Sequence, residues 1–229
     1  MKKSLISIAV SLLVSTQLVA SDVGYTLIPD AKRFGGPYAL IAAMDNSGLN
    51  SFDSCPSLAR QNLNSFKSLI NKKIIRKNRF SSIELLGFNE NIVSIKTIKE
   101  ERAAKLYRNT KESLVQLEAF MHEDTTTESK DVFSFLNYLN ILAESKYSHY
   151  SIIAVAIYTN LRQSVSNGID YKDVVPIVMN PRLTITIYAA SGLDCMGATG
   201  SEKLTAEQNA VKFFKSKIIS ENLIIKTVY

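Results

Sequence analysis

The stretch Tyr38–Ser51, YALIAAMDNSGLNS, ends an apolar run on an aspartate and follows it with small, polar and turn-forming residues. Asp45 and Ser47 at that point have two physical uses. Their side chains can bond the local backbone and take the chain out of a strand, with the following glycine free to adopt positive φ. They can also present oxygen ligands at the carboxyl end of the strand. Similar groups stand at two further places: DTTTES (124–129), which contains Thr126 and Thr127, and Thr159 and Asn160, which follow the run SIIAVAIY. Here too a bland use exists, since Thr127 is placed to cap a helix. Other chemistries lack their residues. DNSGLN is not the Gly-x-Ser-x-Gly elbow of hydrolases. GATGSEK (197–203) lacks the spacing of a phosphate-binding loop. His122 and His149 are the only histidines, and no spacing joins them to cysteine or acid as a metal site requires.

These groups must be positioned by the elements between them. YALIAAM (38–44) is continuously apolar, as befits a strand covered on both faces, and Gly36-Pro37 and Asp45-Asn46 bound it. Pro56 suits the first position of a helix, after which Ala59, Leu63, Phe66 and Ile70 recur on one face. SSIELLGF (81–88) and NIVSIKTI (91–98) are strand-like runs joined by Asn89-Glu90, the spacing of an antiparallel hairpin. A charged helix is expected from about Lys99 to Met121 and another from about Glu128 to Leu142. SIIAVAIYT (151–159) and RLTITIYAA (182–190) read as buried strands. Thr205 and Gln208 form a capping-box pair for a helix running to about Ile219, and NLIIKTVY ends the chain as a strand. Strands alternating with helices predict an α/β fold: a Rossmann-like three-layer sandwich, with a mostly parallel central sheet, one antiparallel edge strand and helices on both faces. In such sheets ligands bind beyond the carboxyl ends of the strands, where the strand order reverses.

The element order, with DNS after the first strand, DTTTES before the third helix and TN after the SIIAVAIY strand, resembles the von Willebrand factor type A domain and its metal-ion-dependent adhesion site. The resemblance covers roughly 38–220. It implies a binding rim at which Mg²⁺ or Mn²⁺ is held by an Asp-x-Ser-x-Ser loop, a threonine and a later aspartate, and an acidic group of a partner protein completes the coordination. Carried over by position, Asp45 and Ser47 match, Thr126 or Thr127 supplies the threonine, the second serine falls at Leu49 and the later aspartate at Asn160. Mg²⁺ favours six oxygen ligands and gains much of its affinity from carboxylates. Asp45 is therefore the only anionic side chain matched to the motif, with Asp53 in the same loop. The rim implied by the resemblance comprises 45–55, 124–128, 159–164 and 191–200, and includes Asn46, Asp53, Arg162 and Asp194.

Both cysteines of the chain, Cys55 and Cys195, fall in loops that this topology brings to the same rim. The leader supplies the compartment: Lys2 and Lys3, the apolar LISIAVSLLV, and LVA before Ser21 form a secretory signal peptide over residues 1–20, with cleavage after Ala20. The apolar run is shorter than the roughly 20 residues of a membrane span, so no span is expected once it is removed. Two cysteines in an exported chain invite a disulfide, which across a loop of about 140 residues would contribute on the order of 4 to 5 kcal/mol in the chain-entropy model.

Formal charge is +6 over 229 residues, and loss of Lys2 and Lys3 leaves 25 basic against 21 acidic residues, a net of +4. That is too mild for nucleic acid, and NKKIIRKNR (71–79) reads as a solvated helix end. No Pro-, Gly- or Ser-rich linker divides the mature chain, so residues 21–37 are expected to form an N-terminal arm and 38–229 one domain. The expected function is a periplasmic or secreted, non-catalytic protein-binding module. The alternatives are a periplasmic α/β hydrolase, for which no nucleophile, base and orienting acid stand out, and a structural subunit of an envelope secretion or DNA-transfer assembly.

Overall fold

Residues 38–46, 55–69, 82–88, 92–99, 103–122, 132–160, 174–190 and 199–228 are described in the computed structural model. The chain runs through β1 (Tyr38–Asp45), α1 (Pro56–Leu69), β2 (Ser82–Phe88), β3 (Ile92–Lys99), α2 (Ala103–Met121), α3 (Val132–Glu144), β4 (Ile152–Thr159), β5 (Ile177–Val178), β6 (Leu183–Ala190), α4 (Gly200–Lys217), β7 (Ile218–Ile219) and β8 (Leu223–Val228). Six strands form one sheet in the order β3-β2-β1-β4-β6-β8. All neighbours are parallel except β2 and β3, which pair antiparallel at the edge with a register shift between Leu85 and Leu86. β5 and β7 pair in parallel as a separate two-stranded sheet.

The apolar runs bury themselves on two faces, as the period-2 geometry of strands requires. On one face Ile41, Ala43, Val155, Ile157, Ile185 and Ile187 pack against Phe135, Leu136 and Leu139 of α3 and Phe214 of α4. On the other, Leu40, Ala42, Met44, Ala154 and Ala156 meet Leu63 and Phe66 of α1 and Leu114, Leu117 and Phe120 of α2. Both faces of β1 and β4 are therefore covered, and the three-layer α/β fold expected from the sequence is present. The expected stripe of α1 faces this core through Ala59, Leu63 and Phe66, while Ile70 lies outside the described residues. Gly87 has a packing role: a Cβ there would overlap the ring of Phe120, so glycine lets the end of α2 close onto β2.

Several boundaries differ from expectation, each for a local reason. Lys99 does not open α2; it pairs with Ser82 as the last residue of β3. The start of α3 expected at Glu128, and its cap at Thr127, lie outside the described residues. α4 begins at Gly200, not at Thr205. Thr199 is its N-cap, and both the Thr199 backbone N–H (2.9 Å) and its hydroxyl (2.6 Å) donate to the Glu202 carboxylate. These bonds, the hydroxyl's first, hold the Glu202 carboxyl below its usual range. Thr205 instead lies inside the helix, its hydroxyl donating back to the Ser201 carbonyl at 2.9 Å. At the other end, Ile218 and Ile219 leave the helix to pair with Ile177 and Val178, as suits β-branched residues.

A buried polar cluster joins the α3 layer to the sheet at the opposite pole from the strand tips. Glu84, in the middle of β2, is 1% exposed. It accepts hydrogen bonds from the Tyr147 hydroxyl and from Lys146 Nζ at 2.7 Å. Arg182, just before β6, gathers carbonyls at the end of α3 and in the turn that follows it, donating to Ala143 (2.5 Å) and Ser148 (2.7 Å). A cation is the natural partner for those orphan acceptors. Burial, and then donation to the Glu84 carboxylate, raise the Tyr147 pKa well above the ordinary tyrosine value. The native state therefore keeps a proton that the unfolded chain releases above pH about 10. This contribution is fully present below that pH and falls away as pH rises further. Urea midpoints measured across the alkaline range are expected to fall with pH in the parent and to fall less steeply in Tyr147→Phe; parallel curves would refute the coupling.

Candidate functional site

The strand order reverses between β1 and β4, because β2 and β3 extend the sheet to one side of β1 while β4, β6 and β8 extend it to the other. This is the switch point at which open α/β sheets form their ligand crevice, beyond the carboxyl ends of the strands. In the parallel register, Met44 lies opposite Tyr158, so the next residues, Asp45 and Thr159, meet at the crevice. Both side chains are withdrawn from solvent, at 1% and 0% exposure. The Thr159 hydroxyl donates to Asp45 Oδ2 at 2.6 Å.

Asn46 continues the chain over the opposite face. Its backbone N–H donates to the Phe88 carbonyl at 2.8 Å, and its side-chain Nδ2 donates to the Phe120 carbonyl at 2.7 Å. The tip of β1 is thereby tied to the ends of β2 and α2. Among the described residues Asn46 Oδ1 is buried without a hydrogen-bond partner. Such a buried amide oxygen is costly unless something donates to it or coordinates it. Beneath the rim, Tyr158 stacks on Tyr188 (centroids 4.6 Å apart) and meets the edge of Phe66 at 5.4 Å, giving a rigid aromatic floor.

Among the residues singled out from the sequence, Asp45 and Asn46 lie together at this crevice, and Asn160 follows Thr159 as a residue 8% exposed. Cys55 is fully buried immediately before α1, with its Sγ 3.8 Å from the Ser57 hydroxyl. Ser47, Asp53, Thr126, Thr127, Arg162, Asp194 and Cys195 lie outside the described residues. Sequence reasoning gave the later ligand position to Asn160; the hydrogen bond described at Asp45 comes from Thr159, the residue before it. Strand alternation was the available signal: in neighbouring parallel strands, Thr159 shares the face of Ile157 and Val155 as Asp45 shares that of Ala43 and Ile41. Glu84 was also passed over, although a carboxylate inside an apolar strand run was a visible signal of a buried partner.

The Asp45 carboxylate and the Thr159 hydroxyl are oxygen groups of the kind Mg²⁺ or Mn²⁺ takes, and Asp45 supplies the carboxylate. Among the described residues no group of three or more His, Cys, Asp or Glu side chains is assembled for a metal.

A mostly parallel sheet in this order, with an antiparallel β3 at one edge, is the fold that the resemblance drawn from the sequence implies. No protein-family model matches the chain, and a search of curated proteins finds no match. Among solved structures, the chain is similar to the SpRpn10 VWA domain, at 12% identity and a TM-score of 0.43, covering 83% of this chain and 88% of that one. It is also similar to an aerotolerance-related membrane protein from Bacteroides fragilis, at 13% identity and a TM-score of 0.36, covering 66% and 67%.

Replacing Thr159 by valine keeps the side-chain shape and removes the donor to buried Asp45. The substitution is expected to cost about 1 to 3 kcal/mol in urea unfolding, with Thr159→Ser recovering most of it. Equal losses for both variants would show that packing, and not the hydroxyl, is what matters there.

Proposed function

We propose that this chain is an exported, non-catalytic protein-binding module whose partner docks on the rim around the β1–β4 crevice. The observation that carries this reading is the pairing of Thr159 with Asp45 at the switch point, beside an orphan acceptor on Asn46. The arrangement presents fixed oxygens, and its aromatic floor suits a docking surface. Segments 45–55, 124–128, 159–164 and 191–200 form the rim, with Asn46, Asp53, Arg162 and Asp194 contributing polar contacts. Mg²⁺ or Mn²⁺, where used, is held by Asp45 with Ser47, Thr126 or Thr127 and Asn160, and an acidic group of the partner supplies the missing anion. The ion would bridge the two proteins electrostatically.

Export follows from the leader, with cleavage after Ala20, and places the module in the periplasm or outside the cell. Among the described residues no helix is long and apolar enough to cross a membrane. A Cys55–Cys195 bridge belongs to the same reading: it would fasten the loop before α1 to the loop after β6 beside the docking surface. In support, no described cysteine is free.

Two measurements test the proposal. Thermal unfolding of the oxidised mature protein is expected to rise with millimolar Mg²⁺ or Mn²⁺ after chelation, and Asp45→Asn should abolish the rise; a ligand at a hundredfold excess over its Kd adds about 2.7 kcal/mol. An absent shift removes the ion from the proposal while leaving the rim. In cells, a photo-crosslinking residue at Arg162 or Asp194 should give a discrete adduct that Asp45→Asn depletes and that a crosslinker at Lys111, exposed on α2, does not give. Identical adducts from both faces would overturn the rim as the docking surface.

A further inference from the structure

A second candidate surface lies along the outer edge of the sheet, two strands away from β4. β8 pairs with β6 on one side, and among the described residues no strand pairs with its other side. Where β2, β4 and all of β1 after Tyr38 are buried, the described positions of β8 are intermediate, with Ile224 exposed. An edge of this kind offers a row of backbone N–H and C=O groups to an incoming strand. Leu223 and Ile225 point into the core beneath α4, and the alternation then brings Thr227 into a groove between β8 and that helix. The groove encloses about 500 Å³ and is lined by Leu204, Glu207, Val211, Lys212 and Lys215 of α4, together with Thr227.

The α4 residues recur at steps of three, one and four and so form one stripe along the helix. Its chemistry is graded. Leu204, 47% exposed, and Val211 supply apolar contact area. Lys212 and Lys215 place two exposed cations at the far end. Glu207, a turn nearer the start of the helix, holds its Oε2 out of solvent with no hydrogen-bond partner among the described residues. A secluded carboxylate oxygen without a donor is an unfavourable arrangement that an incoming N–H would relieve.

We propose that this groove receives an extended, acidic segment of a partner protein, which adds to the β8 edge as a further strand. Main-chain bonds to β8 hold the segment, an apolar side chain covers Leu204 and Val211, and an acidic side chain reaches Lys212 and Lys215. Backbone or side-chain N–H groups of the segment satisfy Glu207. Strand addition of this type takes affinity from the main chain and specificity from alternate side chains. Charge complementarity selects the acid: two lysines close the groove at one end, and the single carboxylate on the stripe lies at the other. Two cations flanked by apolar groups are too few and too local for a nucleic-acid backbone, which needs a row of phosphate contacts.

The test uses the mature chain and fluorescence polarisation with three labelled probes: an alternating Val/Thr peptide carrying two aspartates, the same peptide with lysines in their place, and the aspartate peptide N-methylated at alternate amides. The aspartate peptide is expected to bind saturably and about tenfold or more tighter than the lysine peptide. Lys212→Glu/Lys215→Glu should reverse that order, Leu204→Asp should weaken both peptides, and N-methylation should weaken the aspartate peptide about tenfold. Unchanged thermal unfolding confirms that the variants are folded. Asp45→Asn should leave binding unaltered, which separates this surface from the rim. No saturable binding, no preference between the charged peptides, indifference to the double lysine variant, or indifference to N-methylation each overturns the proposal.

Discussion

The alignment of β1 with β4 is the constraint on which the rest of the structure depends. Their parallel register, locked along Tyr38–Met44 and Ile152–Tyr158, puts Asp45 against Thr159 at the point where the strand order turns. A shift of one residue would send every side chain of one strand to the other face. The apolar residues of both faces oppose that shift, since each has helices to pack against. The hydrogen bond between Thr159 and Asp45 is thus the last rung of a register fixed by burial, and it keeps a carboxylate in a place where burial alone would disfavour one.

The helices hold this tip through a second chain of contacts. Gly87 allows Phe120 to close onto β2, and the Phe120 carbonyl in turn accepts the Asn46 amide. The same asparagine bonds to the end of β2 through its backbone. Packing on the α1/α2 side is therefore transmitted to the residue beside Asp45 through a glycine several residues away in a neighbouring strand. At the other pole, the buried Glu84 and Tyr147, with Lys146 and Arg182 nearer the surface, join the end of α3 to the sheet through hydrogen bonds. Polar groups at both poles of an apolar sheet are satisfied mainly by each other, which favours a single register and a single placement of α3.

These two poles have different chemistry. At the Glu84 pole the carboxylate has two donors and the helix carbonyls have a guanidinium, so the groups satisfy one another. At the Asp45 pole Asn46 Oδ1, and at the β8 edge Glu207 Oε2, are buried acceptors with no hydrogen-bond partner among the described residues, and each proposed surface includes one of them.

The sequence by itself determined the layer architecture. Continuous apolar runs at 38–44 and 151–159, the first bounded by Gly36-Pro37 and Asp45-Asn46, read as strands covered on both faces, and the stripe Ala59–Leu63–Phe66 reads as a helix packed on such a sheet. The antiparallel hairpin was equally legible from two strand-like runs two residues apart. Those are local properties, set by the period of side chains along one element. Only the tertiary structure decided which residue faces Asp45, because the choice between Thr159 and Asn160 depends on which strands are neighbours and on their register. It also decided that α4 begins at Gly200 behind an N-cap at Thr199, whose backbone and hydroxyl donate to Glu202, although Thr205 offered a similar local pattern. Glu84 shows the same division: its place in an apolar run is a sequence fact, but its partners, Lys146 and Tyr147, come from a turn some sixty residues away, and only folding brings them within reach.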